Sequence, residues 1–337
     1  MKEGVTQVTS KSLLKAAFLR KEVDRVPFVP YICGFAAKLR GVSMQEMLGD
    51  PTILANSLQD AVRLFDYDGV ISVFDLTLEA EACGGRVVWP DEGLPRLTGH
   101  PLGEGRPIED LDLSDIGNKG RIPVVMEATR RLKMVLGDDK GVIGVLSGPL
   151  TLFEGLRGKT LPEVMEEDAA ESREMLRAVE TVATAMVRLY GEIQVDAVMV
   201  VEESLSSRDA QCLDEVLPVY HSLWNIAGFY DARSILLCGE IAEGMETICR
   251  DLRADCLALG KGVSPSRARD IALDSNICIG GGIPVQALFD DPEEVRIRVR
   301  ESLEGGGRRG FFLCTDWEVP YDTPVEGLHA VMEALRE

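Results

Sequence analysis

The chain has 337 residues, 45% hydrophobic and 27% charged, the composition of a soluble globular protein, and no run approaches the ~18 apolar residues of a membrane span. Lys and Arg number 36 against 56 Asp and Glu; the resulting charge of −20 repels nucleic acid and anionic membranes and disfavours a small polyanionic substrate. The cysteines (Cys33, Cys83, Cys212, Cys238, Cys249, Cys256, Cys278 and Cys314) include no CxxC pair, and the polar stretch Met1–Ser12 lacks a signal-peptide core, so a cytoplasmic protein without disulfides is expected.

Residues 1–24 read as a helical lead-in, with Leu13, Leu14, Ala17 and Phe18 at helical spacing. A short apolar strand follows at 25–30, closed by Pro30, then a helix from Met44 to Phe65 and a buried strand Val70–Phe74 ending in Asp75. Residues 79–122 are rich in Gly, Pro and Asp and read as an excursion, with loops and a small hairpin around Trp89 and Pro90. From residue 141 the pattern is regular. Strands are expected at Gly141–Leu146, Asp196–Val201, Ser234–Cys238, Asp255–Leu259, Asn276–Ile279 and Gly310–Leu313. Helices are expected between them, at Leu161–Tyr190, Asp209–Ala227, Ile241–Leu252, Ser264–Leu273 and Pro292–Leu303. Eight strand–helix alternations predict an α/β fold, a (β/α)8 TIM barrel forming one domain over residues 1–337. An open doubly wound sheet would carry a Gly-rich nucleotide loop after its first strand. Tyr31-Ile-Cys-Gly-Phe-Ala offers one glycine there, and Gly280-Gly-Gly-Ile-Pro284 lacks GxGxxG spacing.

In a parallel barrel, chemistry sits at the C-terminal ends of the strands. Cys238 ends its strand and alternates with Leu236 and Glu240, which makes it the first candidate for a thiolate metal ligand. Cys278, near a later strand end, and Glu203, in Val-Val-Glu-Glu-Ser204, are the companion candidates. Asp209 and Cys314 are alternatives for the third position. Asp75 is a candidate catalytic acid, with Glu79 and Glu81 behind it. Tyr31, Phe35 and Trp317 could wall an apolar substrate. Of the histidines, His221 and His329 fall inside helices, and His100 lies in the excursion.

Three stretches carry a family likeness. Ile143-Gly-Val-Leu-Ser-Gly-Pro-Leu-Thr-Leu-Phe-Glu-Gly-Leu-Arg-Gly158, Phe74-Asp-Leu-Thr-Leu-Glu-Ala-Glu-Ala-Cys-Gly84 and Val319-Pro-Tyr-Asp-Thr-Pro-Val-Glu-Gly-Leu328 resemble segments of the uroporphyrinogen decarboxylase superfamily, and Asp24-Arg-Val-Pro27 fits as well. The second has the form found in the corrinoid-dependent methyltransferase branch. The resemblance implies a barrel that often dimerises. It also implies, for that branch, a zinc ion bound by His-x-Cys on the fifth strand and a later Cys on the eighth. Here Leu236 stands where the His would fall and Trp317 where the later Cys would fall. The Arg-rich clamp by which the decarboxylases grip substrate carboxylates is replaced by Tyr31-Ile-Cys-Gly-Phe-Ala-Ala37.

The resemblance, taken with these residues, implies one functional expectation. The chain is read as a methyltransferase that demethylates a small, aromatic methyl ether and passes the methyl group to the Co(I) cobalamin of a separate corrinoid protein. A zinc held by Glu203, Cys238 and Cys278 would stabilise the departing oxygen. The alternatives are a methyl-corrinoid:thiol methyltransferase, a decarboxylase, and a non-catalytic barrel.

Overall fold

Leu14 of the first helix, α1 (Ser10–Phe18), marks the floor of the molecule. A Cβ built on Gly69 or on Gly141 would come within 3.1 or 2.6 Å of its side chain, so both strands need glycine where they pass it. The computed structural model describes residues 9–205, 209–241, 251–264, 266–270 and 276–337. The strands are β1 (Phe28–Val29), β2 (Gly69–Ile71), β3 (Arg86–Val88), β4 (Arg96–Gly99), β5 (Gly141–Ser147), β6 (Ala197–Leu205), β7 (Arg233–Ile241), β8 (Cys256–Lys261), β9 (Cys278–Ile283) and β10 (Phe311–Thr315). Eight of them form one parallel sheet in the order β1-β10-β9-β8-β7-β6-β5-β2. The Asp68 amide donates to the Phe28 carbonyl at 2.9 Å across the remaining seam, so the sheet curls into a nearly closed (β/α)8 barrel. The antiparallel pair β3–β4 is the hairpin of the excursion.

Strand alternation assigns the two faces of the wall. On β5, Gly141 meets the α1 plug, whereas Gly144 lies against the Tyr190 ring of the long outer helix. Gly141, Ile143, Val145 and Ser147 therefore face the lumen, and Gly144 and Leu146 face the helices. The register carries this assignment to Val201 on β6 and Leu237 on β7, both on the lumen side.

Several boundaries differ from the sequence reading. The expected helix Met44–Phe65 is two helices, α3 (Met44–Gly49) and α4 (Pro51–Phe65), with Gly34–Arg40 (α2) before them. Asp50 breaks the run by capping α4, accepting from the amides of Thr52 and Ile53 at 2.7 and 2.9 Å. The expected Leu161–Tyr190 helix is likewise divided, after α5 (Leu78–Ala82), α6 (Ile122–Leu136) and α7 (Pro149–Arg157), into α8 (Leu161–Glu167) and α9 (Ala169–Ile193). Asp168 makes that break by capping α9. The helix α10 (Leu213–Phe229) starts four residues after Asp209, which opens a 3-10 turn instead of capping it. The strand expected at 276–279 runs Cys278–Ile283. Of the expected helices Ile241–Leu252 and Ser264–Leu273, residues 242–250, 265 and 271–273 lie outside the described residues, as does Cys249.

Candidate active site at the barrel mouth

Trp317, just past β10, lies over the lumen face of β7. A Cβ on Gly239 would come within 2.5 Å of its ring, so glycine is required there. The indole meets Phe74 edge-on at 5.0 Å, and Phe74 stacks on Tyr31 at 6.1 Å. Tyr31 and Phe74 are buried and Trp317 is partly exposed, so this aromatic column runs from the mouth into the barrel. The Tyr31 hydroxyl is buried beside the thiol of Cys314 and, among the described residues, has no other polar partner. Phe35 does not join the column; it packs on Phe65 of α4 at 5.9 Å.

Asp75 is buried in a polar network. Its carboxylate accepts from the amide and hydroxyl of Thr77 at 2.9 and 2.7 Å and from Arg121. Arg121 also reaches Glu81 at 2.7 Å and lies 4.8 Å from the centre of the Trp89 ring. The end of the excursion is thereby fastened to the mouth, with both carboxylates sharing one guanidinium.

Glu79 is fully buried and pairs with no cation among the described residues. Its carboxyl meets the Ser147 hydroxyl at 2.8 Å and the Ser147 amide at 3.4 Å. Burial pushes its pKa up to about 7, with hydrogen bonds from Ser147 opposing and the charge of Asp75 adding. Glu318 is the second such group. Its carboxyl accepts from the Gly34 amide at 2.5 Å, and burial pushes its pKa up to about 8.

The doublet Glu202-Glu203 divides between the two faces of β6. Glu202 points to the helices and is fully buried. It accepts from the amides of Leu150 and Thr151 at 3.1 and 2.8 Å, from the Thr151 hydroxyl at 2.7 Å, and from Tyr220 of α10. The segment Gly148-Pro-Leu-Thr151 thus forms a seat for this carboxylate, and a Cβ on Gly148 would collide with it. Glu203 is exposed at the rim, its amide bonded to the Thr151 hydroxyl at 2.9 Å. Partial burial, then the charges of Glu203 and Glu163, push the carboxyl of nearby Glu154 up, and Asp209 adds to them.

The three proposed zinc ligands are not brought together. Cys238 is in register with Glu202 and Leu259, on the helix side of the wall, near Tyr220, whose phenol is raised by burial first, then by Glu202, with Cys238 adding to them. Cys278 is in register with Cys256, which pairs with Ile235. That places it three residues below Cys238, about 10 Å along the barrel at the rise of a strand. Burial, then the neighbouring Cys278, raises the Cys256 thiol. Among the described residues no three His, Cys, Asp or Glu side chains stand where they could hold a metal ion. As placed, Glu203, Cys238 and Cys278 do not fit a zinc ion. The histidines are elsewhere as well. His100 bonds the Gly155 carbonyl at 3.0 Å, His221 the Asp251 carbonyl at 3.1 Å, and His329 packs on Phe65.

The family model for uroporphyrinogen decarboxylase (URO-D) matches residues 9–337. The chain belongs to that family. Among curated members, a methylated-thiol–coenzyme M methyltransferase of Methanosarcina mazei is 26% identical over 99% of this chain and 90% of its own length. A methylcobamide:CoM methyltransferase of Methanosarcina barkeri is 23% identical over 99% of both. Among solved structures, a methyltransferase from Methanosarcina mazei superposes with a TM-score of 0.84 at 21% identity, covering 97% of this chain and 98% of that one. A B12-independent methionine synthase from Shewanella superposes with a TM-score of 0.55 at 11% identity, over 85% and 88% of the two chains, and shares the fold alone. Within this URO-D family chain, the sequence reading missed Glu202, Tyr220, Arg121 and Glu318. The one available signal was Gly148-Pro-Leu-Thr151, whose backbone and hydroxyl donors need an anion.

Proposed function

We propose that this URO-D family protein is a methyltransferase that moves a methyl group between a small methylated substrate and the cobalt of a corrinoid carried by a separate protein. Full-length similarity to methyltransferases named for methylated thiols and methylcobamide supports that class. The observation that carries the substrate reading is the state of Arg121. This cation beside Asp75 is already held by Asp75, Glu81 and the Trp89 face, and so is not free to clamp a substrate carboxylate. An apolar column of Tyr31, Phe74 and Trp317 stands beside it. A small apolar methyl compound suits this mouth better than a polycarboxylate.

In its finer form the donor is an aromatic methyl ether, and the methyl group passes to Co(I). The chain's residues would orient the ring against the aromatic column and exclude water from the breaking bond. Zinc would act on the departing oxygen only if Cys238 and Cys278 converged, and their register keeps them apart. A second reading, methyl transfer to a thiol, is favoured by the names of the relatives.

Anaerobic incubation with a corrinoid protein reduced to Co(I) and a panel of methyl ethers, methyl thiols and methyl amines tests the proposal. Replacement of the Co(I) absorption by that of methyl-cobalt is expected with aromatic methyl ethers. If none of the donors yields methyl-cobalt and methyl-cobalt loses no methyl to thiols, the class is overturned. Transfer to thiols alone would move the assignment to the second reading.

A further inference from the structure

The least explained group at the mouth is Glu79. Asp75 and Glu81, four residues before it and two after it, are both paired with Arg121; Glu79 between them has no cation among the described residues. Its contact is Ser147, the last residue of β5, on the lumen face. The Ser147 hydroxyl lies 2.8 Å from Glu79 Oε2 and 3.2 Å from the Leu76 carbonyl. That triangle accommodates either protonation state. With Glu79 ionised, the hydroxyl donates to the carboxylate. With Glu79 protonated, the carboxyl donates to the hydroxyl, and the hydroxyl turns to the Leu76 carbonyl. One rotation about the Ser147 C–O bond switches the two, the hydroxyl exchanging the Glu79 carboxylate for the Leu76 carbonyl as its acceptor.

We propose that Glu79 holds a proton that it delivers, through the Ser147 hydroxyl, to the leaving oxygen of the methyl donor. The inference rests on the ether reading above. The methyl C–O bond breaks with its electron pair going to oxygen, as the methyl group passes to the reduced cobalt of the partner. The oxygen takes the Ser147 hydroxyl proton, and the Glu79 proton replaces it on Ser147. The products are the alcohol or phenol and a Glu79 carboxylate, which recovers its proton from water after release. A protonated leaving group replaces an alkoxide, the difficulty a Lewis acid would otherwise address. The substrate contact is thereby assigned to Ser147, the last residue of β5 on the lumen face, and Glu79 acts through it.

The groups around Glu79 are compatible with the assignment. Asp75, on the loop after β2, adds negative charge and favours the protonated form, and Arg121 offsets part of that charge. Tyr190, from α9, and Cys83, at the end of α5, are both raised by burial first and by Glu79 second or later, and stay neutral.

The test is Glu79→Gln, which keeps an acceptor for Ser147 at nearly the same volume, with Ser147→Ala as the second variant. Wild-type methyl-cobalt formation should slow as pH rises through about 7, the value to which burial moves Glu79. Glu79→Gln should lose that pH dependence and about 10²-fold in rate at pH 6.5. Infrared difference spectra read the proton without turnover. A carboxylic C=O band should titrate near the same pH in the wild type, titrate at higher pH in Ser147→Ala, which loses the hydroxyl that favours the carboxylate, and be missing in Glu79→Gln. A Glu79→Gln enzyme with the wild-type rate and pH profile would overturn the proposal and leave the methyltransferase reading standing. So would a wild type with no titrating carboxylic band between pH 5 and 9. If the band titrates but no ether yields methyl-cobalt, the ether reading fails and this proposal fails with it.

Discussion

Glu318 is buried with backbone amides for company and, among the described residues, no cation, and the consequence is measurable as a pH dependence of stability. Its pKa is about 8 in the folded chain against an ordinary 4.5. Between those values the unfolded state has released the proton and the folded state retains it, so the unfolded state binds fewer protons and stability falls as pH rises. The contribution is complete below about pH 4.5 and is lost by about pH 8, a change on the order of a few kcal/mol. Glu79 acts with the same sign up to about pH 7. Urea unfolding at pH 5 and pH 8.5 should show the wild type weaker at the higher pH, and Glu318→Gln should lack most of that difference. Equal losses in the two proteins would refute the assignment. Legibility at this scale was uneven for a physical reason. The sequence placed acids at the strand ends, but neighbouring residues on a strand face opposite ways. Choosing between Glu202 and Glu203 required knowing which face was lumen. Tyr31 and Trp317, expected as walls for an apolar substrate, stand with Phe74 in one aromatic column. Phe35 was misplaced because helix α2, unlike a strand, turns it toward α4.

At the scale of elements, the barrel strands were legible because most are short apolar runs buried on both faces, as parallel strands in a barrel must be. The helices were legible as periodic stretches but not in their breaks, although the signals were present. Asp50-Pro51 and Asp168 each combine a side-chain acceptor with the start of a new turn. The junction of β5 with α7 shows how tightly such an element can be seated. Gly148 precedes the helix with φ of −69°, so any residue could adopt its backbone conformation. Sterics alone require glycine, because the Glu202 carboxylate occupies the space a Cβ would need. Gly148→Ala should therefore displace either α7 or Glu202, which is bound to four donors. A cost of about 2 kcal/mol is expected, typical of forced overpacking in a core. Thermal unfolding would register it, and the Gly148→Ala, Glu202→Gln double variant should cost less than the sum of the two single changes. Additivity of the two costs would show that the collision is relieved elsewhere.

For the molecule as a whole, barrel closure is the feature no local pattern revealed. Seven neighbouring strand pairs have ladders; between β1 and β2 the join is made by Asp68. Its carboxylate binds Arg25 through both oxygens at 2.7 Å and the Phe28 amide at 2.8 Å. Its own amide and carbonyl bond Phe28 and Gly141 at 2.9 and 3.0 Å. The guanidinium of Arg25 is partly solvated, so the ion pair itself contributes modestly. The buried Phe28 amide is a different matter, because losing its acceptor leaves a donor with nothing to bind, at about 1–3 kcal/mol. Asp68→Ala should therefore destabilise the barrel by roughly 2–4 kcal/mol once the Arg25 contacts are included. Arg25→Met spares the Phe28 bond but leaves the buried Asp68 carboxylate without its cation, and should cost about 1–3 kcal/mol. Hydrogen exchange separates a seam from a general loss. Amides of residues 28, 68 and 141 should exchange faster in Asp68→Ala relative to those of the β6–β7 ladder on the far side. A uniform acceleration across all strands would mean that closure depends on the packing of α1 against the floor, and that Asp68 only decorates the join.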